Sequence, residues 1–141
     1  MEKWSPGSHA NTYGGNPLCC AAVLATLDLV KNEYAENARR MGDRMMARLT
    51  EYAKTNEFIG DVRGRGLMIG VEFVKSRATK EPAKAFATEV VRRAFQNGLL
   101  LLECGASGIR LIPPLMLDEK IADEGMAILE RSMTEAQGEL R

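Results

Sequence analysis

The chain has 141 residues, enough for one ordinary domain with a real core. Nineteen Lys and Arg balance nineteen Asp and Glu, so the formal net charge is zero; that excludes the basic surplus of a general nucleic-acid binder, an acidic tail and a polybasic membrane anchor. Hydrophobic residues at 45% and charged residues at 27% fit a soluble globular protein, and three cysteines (an odd count, with Cys19 and Cys20 adjacent) make no disulfide framework and point to a reducing, cytoplasmic compartment.

No apolar stretch is long enough for a bilayer, because Thr26 and Asp28 interrupt the longest one, Leu18 to Val30. The N-terminus has no apolar segment of the signal-peptide kind. A Gly-, Pro-, Ser- and Asn-rich stretch from Ser5 to Pro17 precedes any periodic element. A complete domain rarely opens this way, which raises the expectation that the chain is the tail end of a longer protein.

Asn16-Pro17 reads as a helix start, with Asn as N-cap and Pro at the first helical position. Residues 18–30 are apolar on nearly every face, so this helix is expected to be buried all round, against the domain's own core or a partner. A second, amphipathic helix is expected over 34–54, with Ala38, Met41, Met45, Leu49 and Tyr52 at spacings of three and four. Alternation over 67–74 predicts a strand, with Arg63-Gly64-Arg65-Gly66 as the turn or bulge between it and a short strand before it. A third helix is expected from Pro82, carrying Phe86, Val90 and Ala94 inward and closing at Asn97-Gly98. The apolar run Leu99 to Leu102 predicts a central strand, and 109–112 the returning strand, ended by Pro113-Pro114. A last helix is expected from an Asp118 cap, with Ile121, Ala122, Ile128, Leu129 and Met133 inward and residues 136–141 frayed. This order predicts an α+β domain: two layers, a small, mainly antiparallel sheet, and helices on one face.

Two segments can carry chemistry. In Asn11-Thr12-Tyr13-Gly14-Gly15-Asn16-Pro17, glycines beside a helix N-terminus and a Thr hydroxyl suit a phosphate, although a plain capped loop has the same composition. In Ile109-Arg110-Leu111-Ile112-Pro113-Pro114, the planar fork of Arg110 suits a carboxylate, although an Arg on the open face of a strand would look alike. Arg63-Gly64-Arg65-Gly66 is single rather than repeated, so it reads as a structural turn and not an RNA-binding element. His9, the only histidine, has no Cys or carboxylate at ligand spacing, so no metal site is expected. Cys19 and Cys20 read as packing residues, and Cys104 lacks the flanking bases of a nucleophile.

Taken together, Trp4 to Pro17, Val62 to Met68 and Ile109 to Leu115 resemble three ordered segments of the class III (omega-type) pyridoxal-phosphate-dependent aminotransferases, the group of the 4-aminobutyrate, ornithine and acetylornithine enzymes. The resemblance runs from Trp4 to about Met133. It implies the C-terminal part of a fold-type I enzyme: residues 1–31 end the large cofactor domain with a phosphate-contact loop and interface helix, and residues 32–141 form a connector helix and the small domain. It implies cofactor contacts from Thr12, Asn11 and Gly15, with Asn16 shaping the turn. Thr12 would reach the neighbouring subunit's site in a homodimer. Arg110 would bind the carboxylate of the amino or 2-keto acid substrate. The lysine that carries the cofactor and the acid facing its ring nitrogen have no match here; none of Lys3, Lys31, Lys54, Lys75, Lys80, Lys84 or Lys120 sits in a matching segment. The expectation is an aminotransferase fragment, inactive alone, whose parent moves an amino group to a 2-keto acid. The competing expectations are a non-catalytic dimerisation or binding module and, on the Thr12 turn alone, a small phosphate-binding regulator.

Overall fold

The computed structural model describes residues 5, 7–9 and 11–139. Trp4, Pro6 and Ala10 of the first segment, Lys3, and the last two residues lie outside them. The chain divides into two compact units, residues 1–34 and 35–141.

In the first unit, helix α1 spans Pro17–Leu29 and is followed by a π turn, Val30–Tyr34. Its start is as the sequence predicts. The Asn16 side-chain carbonyl accepts from the Cys19 amide at 3.0 Å, and Pro17 occupies the first turn. The expectation of burial is not met within this chain. No residue of α1 is buried, and Leu18, Val23, Leu24, Leu27 and Leu29 are exposed. Cys19 is half-buried and Cys20 exposed, so neither is a core packing residue here. Periodicity reports that a surface must be covered, but not by what.

In the second unit, α2 (Ala35–Thr55) leads into β1 (Ile59–Arg65) and β2 (Met68–Phe73). Then come α3 (Lys84–Gln96), β3 (Leu102–Cys104), β4 (Gly108–Leu111) and α4 (Glu119–Glu139). The sheet is antiparallel throughout, in the order β1-β2-β4-β3. Ile69, Val71, Phe73, Ile109 and Leu111 point to one face. There they meet Met41, Met45 and Leu49 of α2, Phe86, Ala87 and Val90 of α3, and Met126, Leu129 and Met133 of α4. Phe86 stacks on Phe58 at 4.4 Å between ring centres and meets Phe73 edge-on at 5.0 Å. The expected two-layer α+β domain is therefore present.

Three details differ from the sequence reading. Arg63, Gly64 and Arg65 lie within β1, and the turn is Gly66-Leu67. It is set there by a close approach: Gly66, at φ +56°, lies so near α2 that a Cβ on Gly42 would stand 2.2 Å from the Gly66 carbonyl oxygen. The leucine run is not a central strand. Only Leu102 enters β3, at the sheet edge, and Leu100 and Leu102 are exposed. An unbroken apolar run was read as buried on two faces, whereas a two-layer domain leaves one face of its sheet uncovered. Helix α4 runs on to Glu139 with Ala136 fully buried, so its last turns are packed rather than frayed, while Ile121 lies outward. The Asp118 cap is as expected, accepting from the Ile121 amide at 2.8 Å.

Ion pairs clamp α2 to α4. Arg44 grips Asp123 through two bonds of 2.9 and 2.6 Å, Arg48 grips Glu130 through 2.6 and 2.8 Å, and Arg40 pairs with Glu119. Among the described residues, no helix is long and apolar enough to cross a membrane.

Candidate active-site residues

The Thr12 turn is built locally. The Asn11 side-chain carbonyl accepts from the amides of Tyr13 at 2.9 Å and Gly14 at 3.0 Å, which folds the chain back on itself. The Gly14 amide also reaches the Asn11 backbone carbonyl, and the Asn16 side-chain amide donates to Tyr13 O at 2.7 Å. Gly15 follows at φ +79°, with open space where a Cβ would stand. Thr12 is exposed at the outer edge of this turn. The Asn11 carbonyl is thus committed to the turn itself, while its amide nitrogen keeps its donors.

The Arg110 site is built by the sheet. Arg110 on β4 pairs with Gly70 on β2 and Leu102 on β3, and Gly70 pairs with Arg63 on β1. These four residues form one row across the open face, opposite the helices. Within it Arg63 is neutralised, donating to Asp61 Oδ2 at 2.6 Å and Glu72 Oε2 at 2.8 Å. These two acceptors hold the Arg63 guanidinium above its ordinary pKa. Arg110 is exposed and has no ion pair among the described residues. A strand fixes its backbone, and no ion pair among the described residues engages the fork, so its geometry suits a planar anion.

A cleft of about 610 Å³ adjoins it, with Leu100, Arg110, Ile112, Pro114, Ile121 and Gly125 among its walls. Its apolar lining was not foreseen. Leu100 was expected in a central strand and Ile112 at the end of the returning strand; the exposure of both follows from β3 lying at the sheet edge. His9 is exposed, and no His, Cys, Asp and Glu cluster able to hold a metal occurs among the described residues.

The family profile described as "Aminotransferase class-III" matches residues 1–133. A 5-aminovalerate aminotransferase of Pseudomonas putida is 38% identical over 138 residues, 96% of this chain and 32% of that protein. A leucine/methionine racemase of Thermococcus litoralis is 38% identical over 138 residues, 97% of this chain and 31% of that protein. The PMP-bound form of an aminotransferase from Vibrio fluvialis superposes with a TM-score of 0.84 at 33% identity, covering 95% of this chain and 30% of that one. The chain thus spans about a third of the length of the curated relatives it matches.

Proposed function

Because this chain belongs to the class III aminotransferases, we propose that it supplies the small domain and one cofactor-phosphate contact of a pyridoxal-phosphate-dependent aminotransferase. The parent would pass an amino group from an amino donor, such as 4-aminobutyrate or another omega-amino acid, to a 2-keto acid. The observation that carries the reading is Arg110: an arginine fork on an open sheet face, unspent beside a neutralised neighbour.

The donor set of this chain fits part of a pyridoxal phosphate site. Thr12 offers one hydroxyl at the outer edge of a turn, the Asn11 amide nitrogen lies beside it, and bare Gly15 leaves room for a bulky anion. When bound, the cofactor supplies the electron sink and carries the amino group between substrates. Thr12 donates a hydrogen bond to the phosphate and fixes its position. Arg110 holds the substrate carboxylate in two parallel bonds, which orients the carbon that gains or loses the amino group. The lysine that anchors the cofactor belongs to the rest of the parent. Residues 1–31 would close the large domain, and residues 32–141 would form the connector helix and small domain. The exposed apolar α1 supports a covering surface from the large domain and the second subunit of a homodimer. Three free cysteines accord with a cytoplasmic location.

In the full-length protein, Arg110→Ala is expected to raise KM for the keto acid by about 10- to 100-fold, a charge-assisted contact being worth about 1.5–3 kcal/mol. An unchanged KM would remove Arg110 from substrate binding. The racemase among the relatives makes a second assay informative. Chiral analysis after incubation with one L-amino acid and no acceptor should find no D-isomer; its accumulation would replace amino transfer by racemisation.

A further inference from the structure

The row that presents Arg110 has a gap. Gly70 sits in the middle of β2, between Arg63 on β1 and Arg110 on β4. Glycine weakens a strand interior, so it usually answers a local need: a bulge, a left-handed backbone, or a close approach by another group. The other strand glycines have such needs inside the chain. A Cβ on Gly60 would stand 2.6 Å from the Val74 side chain, on Gly64 2.6 Å from Met68 O, and on Gly108 2.9 Å from Val71 O. Gly70 has none. Pairing runs through it without interruption on both sides. Its φ lies outside the left-handed region, and the nearest atom to an added Cβ, Arg63 O, is 3.9 Å away. Among the described residues nothing requires the glycine, and its open face neighbours the ladder partner Arg110, which has no ion pair among them.

We propose that Gly70 is a specificity-determining position, whose missing side chain keeps the floor between Arg63 and Arg110 clear so that a substrate carboxylate can meet the Arg110 fork edge to edge. The proposal rests on the reading of Arg110 as the carboxylate ligand. A branched side chain at position 70 would stand alongside the Arg110 stem, about 5 Å away across the ladder, and fill the space the carboxylate needs. Arg63 is the poorer candidate for that role, because its Nη1 already donates to both Asp61 and Glu72. The ligand class is therefore a planar carboxylate approaching the sheet face edge-on, as an amino or 2-keto acid does.

The test uses the full-length holoenzyme with 2-oxoglutarate as the varied acceptor, comparing Gly70→Ala, Gly70→Val and Arg110→Ala. Gly70→Val is expected to raise KM by about tenfold, the cost of one charge-assisted contact, while kcat stays within about twofold. Gly70→Ala should raise KM less and melt no lower than the parent, since the added methyl meets only Arg63 O, at an ordinary contact distance of 3.9 Å. That split between KM and kcat, at undiminished thermal stability, is what a merely structural glycine would not give. If Arg110→Ala raises KM while both Gly70 variants leave it unchanged, the role of Gly70 is overturned and that of Arg110 stands. If Arg110→Ala leaves KM unchanged, both fall. If Gly70→Val does not fold, Gly70→Ala decides: a raised KM at full stability supports the proposal, and an unchanged KM overturns it.

Discussion

Gly42 and Gly66 show how tightly single residues set this domain. The Gly66 carbonyl occupies the space a side chain on Gly42 would need. Gly42→Ala must therefore push the β1–β2 turn off α2, and should cost about 2–3 kcal/mol, measured as a lowered urea midpoint. Glu89 acts through charge instead. The Arg92 guanidinium, and then that of Arg93, hold its carboxyl down to about 2 from an ordinary 4.5. The carboxylate is favoured in the folded state, so its stabilisation is complete above pH 4.5 and drains away as pH falls toward 2. After discounting for solvent screening, this amounts to about 1–2 kcal/mol. Melting temperature followed from pH 5 to pH 2 should therefore fall less steeply in Glu89→Gln than in the parent; parallel curves would show that the pair contributes nothing. Residues of this kind were unequally legible. Arg110 and Thr12 stood out in sequence because their motifs carry a charge and a donor. Gly70 did not, because its meaning lies in what two other strands place beside it.

At the scale of elements, local chemistry was readable and placement was not. The caps at Asn16 and Asp118 act as their residue types require. So does Gly98, at φ +92° after α3. The leucine run misled because periodicity cannot tell a central strand from an edge strand that has one face open. The frayed end of α4 was a similar error: a polar sequence hid Ala136, which α4 packs against the core. Clamping by Arg48 gives an element-level test. Its partner Glu130 is also tied down through the backbone carbonyl that accepts from Tyr52. Arg48→Ala strands a half-buried carboxylate and should cost about 1–2 kcal/mol; Arg48→Met with Glu130→Leu should recover most of it, read by chemical denaturation.

For the whole molecule, the length ratio dominates. A chain spanning about a third of its relatives' length matches them over that share alone. Incubation of the 141-residue chain with pyridoxal phosphate and borohydride is expected to give scattered, substoichiometric adducts on surface lysines, unaffected by an amino donor. A single stoichiometric adduct that the donor abolishes would mean that a working lysine is present here. The family was legible because three ordered motifs lie within this short chain. The substrate was not, because a Thr hydroxyl and an Arg fork carry general phosphate and carboxylate chemistry rather than the shape of one molecule.

Helix α1 offers a measuring device for the proposed docking. Thirteen residues are near the lower limit for a helix that persists unaided in water, and none of them is buried. Its amide hydrogens should therefore exchange with deuterium almost as fast as those of an unfolded peptide, while those of Ile69, Val71 and Ile109 in the sheet exchange slowly. Adding the rest of the enzyme should slow exchange in Pro17–Leu29 first. The rate at which that protection appears would then time the docking of the two parts, with no label and no substrate.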